Sequence, residues 1–356
     1  MEMTLRWYGT GHDTVTLKQI RQIPGVTGVI TTLYDTKPGE VWKPEAIRAL
    51  KAEVEAAGLR LSGIESVNVH EAIKTGAPER DQYIENYKQT LRNLAKYGVK
   101  VVCYNFMPIF DWTRSNLFHE VGDGSTALFY EKGMIQDDYN AMAEYILGFT
   151  EKYNMSFPGW EPERMAKLDE LFKAYADVDK EKLWANLKYF LEAIMPTCHE
   201  CDIKMAIHPD DPPWSIFGIP RIITNEENID RFLSLYDDVH HGLTLCSGSL
   251  GCATFNDYTA MVRKYGAMGR IHFAHVRNIK ILEDGSFEES GHLSDCGSLD
   301  MYDITKALVE TGFDGYVRPD HGRMIWGETG NPGYGLYDRA LGAAYINGLF
   351  EACEKA

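Results

Sequence analysis

Short apolar runs rich in Val, Ile and aromatic residues alternate along this chain with segments whose apolar residues recur at helical spacing. The runs at 5–9, 28–33, 59–64, 100–105, 204–208, 242–246, 270–276 and 315–318 predict strands, and a plausible helix follows each. Helix ends are marked as well. The segment 43–57 opens on "KPE" and stops before Gly58, 81–97 stops before Gly98, and 225–236 opens on "NEEN", which offers an N-cap and acidic first-turn residues. Eight strand–helix rounds are the number that closes a (β/α)8 TIM barrel, an α/β fold, here as one domain over 1–356. The competing architecture, a doubly wound open sheet, usually carries a glycine-rich phosphate loop after its first strand. "WYGTGHD" does not complete that motif.

The segment 108–179 breaks the rhythm, separating the fourth strand from a long helix at 180–198. It is too long and too aromatic for a linker, and predicts a helical or irregular insertion on the strand C-terminal face, where lids and subunit contacts are built.

Composition narrows the function. With 36 Lys plus Arg against 52 Asp plus Glu, the formal net charge of −16 disfavours nucleic-acid and acidic-membrane binding. A few arginines in one cleft can still hold a small anion. The seven cysteines, odd in number in a chain this long, suit a reducing compartment better than a disulfide framework, so the expected location is the cytoplasm. The N-terminus reads neither as a signal peptide nor as a membrane span.

Chemistry concentrates at the predicted strand ends. His208 in "AIHPDDPP", Cys246 in "LCSGSLG" and His275 in "IHFAHVRN" close three consecutive strands, and "YVRPDHGRM" adds Asp320 after the eighth. A barrel gathers strand C-termini on one rim, so the four can converge. Imidazole, thiolate and carboxylate together suit Mn2+, Fe2+, Co2+ or Zn2+ better than Ca2+ or Mg2+. Singly, each has a plain reading: a buried Cys packs as a small hydrophobe, a His is hydrogen-bonded, an Asp caps a turn. Alternation along a strand puts Arg277 on the face of His275 and Arg318 on that of Asp320, where they either bind an anion or form structural ion pairs. Asn68 and His70, beside Glu65 and Lys74 in "GIESVNVHEAIKTG", either hold substrate hydroxyls or decorate a loop. His292 lies in the loop after the seventh strand, and Tyr334 in the glycine-rich "NPGYG" is either an aromatic anchor or a proton-transfer group.

Taken together, "VCYNFMPIFDWTR", "AIHPDDPP", "LCSGSLG", "IHFAHVRN", "RPDHG" and "NPGYG" resemble the D-mannonate dehydratases of sugar-acid catabolism, from "LRWYG" to the last helix. The resemblance implies a xylose-isomerase-like barrel that removes water from D-mannonate to give 2-keto-3-deoxy-D-gluconate. It implies a divalent ion, usually Mn2+ with Fe2+ or Co2+ as alternatives, on His208, Cys246, His275 and Asp320. His321 and Tyr334 match the family's acid/base positions, with Arg277, Arg318, His292, Asn68 and His70 as substrate-binding candidates. A homodimer or larger assembly is also implied. The competing functions are a metal-dependent sugar isomerase or epimerase on the same barrel, a barrel endonuclease that the acidic charge disfavours, and a sugar-acid-binding protein without turnover.

Overall fold

The glycine-bounded apolar runs become strands β1 (Glu2–Arg6), β2 (Val26–Thr31), β3 (Arg60–Glu65), β4 (Val101–Tyr104), β7 (Lys204–Ile207), β8 (His241–Cys246), β9 (Ile271–His275) and β12 (Tyr316–Arg318). They come from a computed structural model, which describes residues 1–134, 148, 152 and 167–356. The strands close into one barrel in the order β1-β12-β9-β8-β7-β4-β3-β2, every neighbouring pair parallel. A parallel strand returns through a crossover, and after each barrel strand in turn come the helices Leu17–Arg21, Pro44–Ala56, Arg80–Ala95, Lys180–Cys201, Glu226–Ser234, Tyr258–Ala267, Met301–Glu310 and Tyr337–Lys355. Their starts follow the sequence signals. Asn225 accepts from the Asn228 amide, Asp179 caps the helix after the insertion, and Pro44 opens the second long helix.

Several element boundaries differ from the sequence reading by a few residues, and two of them have a visible backbone cause. The first strand runs from Glu2 to Arg6 rather than over 5–9, because its ladder to β2 ends at Arg6↔Ile30 and Gly9 turns left-handed with φ +94°. The long helix passes Pro196 and continues to Cys201, ending where Asp202 adopts φ 50°.

The insertion contains elements that the sequence did not suggest. β5 (Asn116–Glu120) and β6 (Thr126–Tyr130) form an antiparallel hairpin, and β6 pairs with β11 (Phe287–Glu289), itself paired with β10 (Ile279–Ile281). This second sheet, in the order β10-β11-β6-β5, sits beyond the ends of β4 and β9. The rest of the expected insertion, 135–166 apart from 148 and 152, lies outside the described residues.

Most buried apolar side chains fill the space between barrel and helices. A small separate cluster of Ile30, Cys103 and Phe273, with Tyr316 against it, plugs the barrel interior. Above that plug the interior turns polar: Phe273 meets the His275 ring edge-to-face at 4.4 Å and lies under the Arg318 guanidinium. Among the described residues no helix is long and apolar enough to cross a membrane.

His272 points into the packed layer, and burial pushes its pKa down to about 3 from an ordinary 6.5. A histidine with a lowered folded-state pKa is protonated first in the unfolded chain. Its contribution to stability is therefore complete above pH 6.5 and is lost as pH falls toward 3. The expected slope is about 1 kcal/mol per pH unit for this one residue. Urea midpoints at pH 7 and pH 5 check it, with a smaller difference expected for His272→Asn.

Candidate active site

Each chemistry-bearing side chain stands where a barrel strand ends. β7 delivers His208 one residue past Ile207, β8 ends on Cys246 and β9 on His275, with Cys246 and His275 directly paired in register. One ligand atom from each of His208, Cys246 and His275 lies within 4.8 Å of the others. Cys246 and His275 are fully buried and His208 partly so, and neither ring nitrogen of His275 is hydrogen-bonded. An imidazole with two unsatisfied buried nitrogens is costly unless something further binds it.

Asp320 completes the group. Its Oδ1 lies 3.7 Å from His275 Nδ1, and its Oδ2 lies 3.7 Å from Cys246 Sγ. It reaches this place by an unusual backbone, φ 54°, which Asp tolerates better than most residues. The strand has ended at Arg318, so the expected shared face of Arg318 and Asp320 does arise, but through this turn and not through strand alternation.

The protonation pattern suits cation binding. Burial and the nearby Arg318 push His275 well below its ordinary pKa, so it is neutral. Burial works against ionisation of Asp320 too, but His321, Arg318, His275 and Arg277 together hold it far below the carboxylate range. His208 goes the other way: burial opposes its charge, yet the bond to Cys246 and the Cys246, Glu65 and Asp320 charges lift it to about 9. A proton thus occupies the His208–Cys246 pair, where a metal ion would compete with it.

Four arginines and four carboxylates surround these groups. Arg318 pairs with Glu65 at 2.9 Å and with Asp320 at 2.6 Å, and Arg6 adds a second contact to Glu65 at 3.2 Å. Arg277 pairs with Asp320 at 2.8 Å, Asp211 at 2.7 Å and, closely, Glu289. Arg114 forks onto Asp211 at 2.7 and 3.1 Å and reaches Glu289 at 3.0 Å. Of the two readings weighed for Arg277 and Arg318, the structure shows the ion pairs. Each is already committed to at least two buried carboxylates, whose separation from water would otherwise be prohibitive.

Beside this network stands a proton-transfer pair. His321 Nε2 lies 2.7 Å from the Tyr334 hydroxyl, and His321 Nδ1 lies 3.2 Å from Glu289 Oε1. Burial would raise the Glu289 carboxyl, but Arg277, His321 and Arg114 bring it down to about 2. An ionised carboxylate only accepts, so Nδ1 carries the hydrogen. In the neutral ring Nε2 is then the acceptor, and Tyr334 donates to it. Burial pushes the Tyr334 phenol well above its ordinary pKa, so it keeps its proton. Trp112, from the insertion, covers His321 with ring centroids 5.2 Å apart, and Tyr8 meets Tyr334 edge-on at 4.9 Å.

Three sequence candidates take structural positions. His70 Nδ1 accepts from the Ala72 amide as an N-cap, and its ring stacks on Tyr83 at 3.6 Å. Asn68 is exposed. His292 is buried and donates from Nε2 to the Pro319 carbonyl at 2.6 Å, bracing the turn that carries Asp320. A Cβ on Gly342 would come within 2.5 Å of His292 Nδ1. Gly342→Ala, which helix propensity alone would favour by about 1 kcal/mol, is therefore expected to destabilise by roughly 1–3 kcal/mol of overpacking. A chemical-denaturation midpoint decides between the two signs.

Glu289, Asp211 and Arg114 carry much of the geometry and were not singled out as site residues in the sequence. Asp211 and Arg114 lie inside "HPDDPP" and "DWTR", but 97 residues separate the pair.

A closed parallel barrel with its polar groups gathered at the strand C-termini is a (β/α)8 TIM barrel. In keeping with that, the solved xylose isomerase domain protein from Planctomyces limnophilus shares the fold with TM-score 0.55 at 12% identity, over 99% of both chains. Closer similarity is specific. The family model described as D-mannonate dehydratase (UxuA) matches residues 1–356, and the chain belongs to this family. The mannonate dehydratase of Thermotoga petrophila is 57% identical over 357 residues, covering 100% of this chain and 98% of that one. The crystal structure of mannonate dehydratase from Streptococcus suis serotype 2 superposes with TM-score 0.87 at 46% identity, covering 100% of this chain and 94% of that chain.

Proposed function

We propose that this chain, a hydro-lyase of the mannonate dehydratase family, converts D-mannonate to 2-keto-3-deoxy-D-gluconate at the site formed by the ends of β7, β8, β9 and β12. The observation that carries the reading is the juxtaposition of the His208–Cys246–His275 donor group with the His321–Tyr334 pair across Asp320. An isomerase or a non-catalytic binding protein is not favoured by the family match.

The donor set fits a divalent transition ion. Two imidazoles, a cysteine sulfur and a carboxylate converge, and the buried His275 nitrogens make no hydrogen bond. Mn2+ is the proposed ion, with Fe2+ or Co2+ suiting the same donors, held by His208, Cys246, His275 and Asp320. Bound there, it would supply Lewis-acid stabilisation of the charge that builds on the substrate carboxylate as the C2 proton leaves.

The protein's own groups handle the protons. His321, with its Nδ1 hydrogen held by Glu289, presents a free Nε2 lone pair once substrate displaces the Tyr334 hydroxyl, and serves as the base at C2. Tyr334, kept protonated by burial, gives its proton to the departing C3 hydroxyl. Arg6 and Arg318 fix Glu65, and Arg277 and Arg114 fix Glu289 and Asp211, so these orientations do not depend on solvent. Trp112 closes one side against water. A homodimer or larger assembly and a cytoplasmic location complete the reading, the location in line with seven cysteines that form no disulfide.

The test is one assay. Chain loaded with Mn2+ is incubated with D-mannonate and separately with its C2 epimer, following 2-keto-3-deoxy acid. Product from D-mannonate alone is expected; product from neither refutes the reading.

A further inference from the structure

A second group of metal-type ligands occupies the opposite rim of the barrel. His199 and Asp202 come just before β7, and Asp238 and His240 just before β8, whereas His208 and Cys246 come at the other ends of the same strands. Asp238 lies at the centre of the group. Its Oδ2 is 2.5 Å from His199 Nε2, and its Oδ1 is 3.0 Å from His240 Nδ1. The two imidazole rings lie 4.7 Å apart, and one ligand atom from each of His199, Asp238 and His240 lies within 4.8 Å of the others.

His240 poses a hydrogen-bonding problem that points to a missing positive charge. Its Nδ1 faces Asp238, and its Nε2 faces Asp202 Oδ1 at 3.3 Å. A neutral imidazole has one N–H, so one of these contacts would set a nitrogen lone pair against a carboxylate. Either an added proton or a metal ion removes the conflict. Lys100 does not, because it engages the other Asp202 oxygen at 2.6 Å. An ion with affinity for nitrogen and carboxylate suits the place, since two imidazoles and a carboxylate already converge there.

We propose that His199, Asp238 and His240 form a peripheral site for a borderline divalent cation of the Zn2+ type, tying the end of helix Lys180–Cys201 to the turn before β8. Two imidazoles and a carboxylate are Zn2+ ligands, whereas Mg2+ and Ca2+ prefer all-oxygen sets. Zn–N and Zn–O bonds are about 2.0–2.2 Å, so the donors must close somewhat around the ion. His199 can do so, since its side chain is 46% exposed at a helix end, and the same exposure gives the ion a route in. Water would fill the remaining position. The ion takes no part in the dehydration; its effect is on stability, because a ligand that binds only the folded chain raises the melting temperature.

The experiment uses the full chain with its strand-end site loaded with Mn2+. It is dialysed to equilibrium against Zn2+ at pH 7.5, total metal per chain is counted, and thermal melts are recorded with and without Zn2+. Wild type is expected to hold two ions per chain and to melt higher with Zn2+. His199→Ala is expected to hold one ion, to lose the Zn2+-dependent rise, and to keep the dehydratase rate. Affinity for the second ion should fall by more than the about 10–100-fold typical of losing a group that merely supports a ligand. His240→Gln, which keeps a hydrogen-bonding side chain of similar length, should behave the same way if the imidazole is a ligand. A wild-type chain that binds one ion, or a His199→Ala chain that still binds two, overturns the proposal. In the first case the group is a plain imidazolium–carboxylate clasp.

Discussion

Cys246→Ser is expected to lose bound metal and dehydratase activity together. The serine hydroxyl is close in size, so the barrel around the fully buried Cys246 should fold as before, with β8 still paired to β9 at His275. What changes is the donor. A thiolate binds a transition ion as an anion, while a neutral hydroxyl in the same place is a far weaker ligand. The surrounding charges leave no replacement, since Asp211 is already held by Arg114 and Arg277 and Glu65 by Arg6 and Arg318. Metal affinity should fall by more than about a hundredfold, given that even loss of a supporting group costs about 10–100-fold. Metal content after gel filtration, measured beside turnover of D-mannonate, gives the answer. Tyr334→Phe provides the contrast, keeping the ion and losing turnover. A Cys246→Ser chain that keeps both metal and rate would remove Cys246 from the site.

The barrel was legible because its strands are largely buried on both faces and so read as mostly apolar runs separated by segments of helical period. His208, Cys246 and His275 were legible for a related reason. They are the first chemistry-bearing residues after those runs, and barrel closure does the rest. The second sheet hid itself: "NLFHE" and "FEE" mix charges into short strands, and the pairing of β11 with β6 joins residues more than 150 positions apart. Strand alternation also stopped helping where the strands stopped. Arg277 and Asp320 both lie two residues past their strand ends, and only the positive φ at Asp320 and the carboxylate partners of Arg277 explain where they point. The contacts of two histidine candidates were hidden for another reason. Sequence shows that His70 and His292 are polar and near the site, but capping of Ala72 and bracing of Pro319 are backbone contacts that no side-chain pattern announces.

Glu289→Gln is expected to cut kcat by about a hundredfold while leaving KM and metal content nearly unchanged, a loss of roughly 3 kcal/mol of transition-state stabilisation. The reason lies in how Glu289 is used. Oε1 alone receives Arg114, Arg277 and the His321 Nδ1 hydrogen, while the buried Oε2 has no hydrogen-bond partner. A glutamine can keep its carbonyl at the Oε1 position and place its amide where Oε2 was, so the His321 ring retains its orientation. The charge is lost, however. As His321 takes a proton it becomes an imidazolium, and an ionised Glu289 3.2 Å away stabilises that cation where a neutral amide does so much less. Asp211 still faces both arginines, so neither is left without a carboxylate and the variant should fold with a modestly lowered melting temperature. A residue that only held the loop in place would lower metal content and kcat and raise KM together. The split between kcat and KM, read beside metal stoichiometry, therefore separates a positioning role for Glu289 from a structural one, and an unchanged kcat would end the case for either His321 tautomer control or Glu289 as its source.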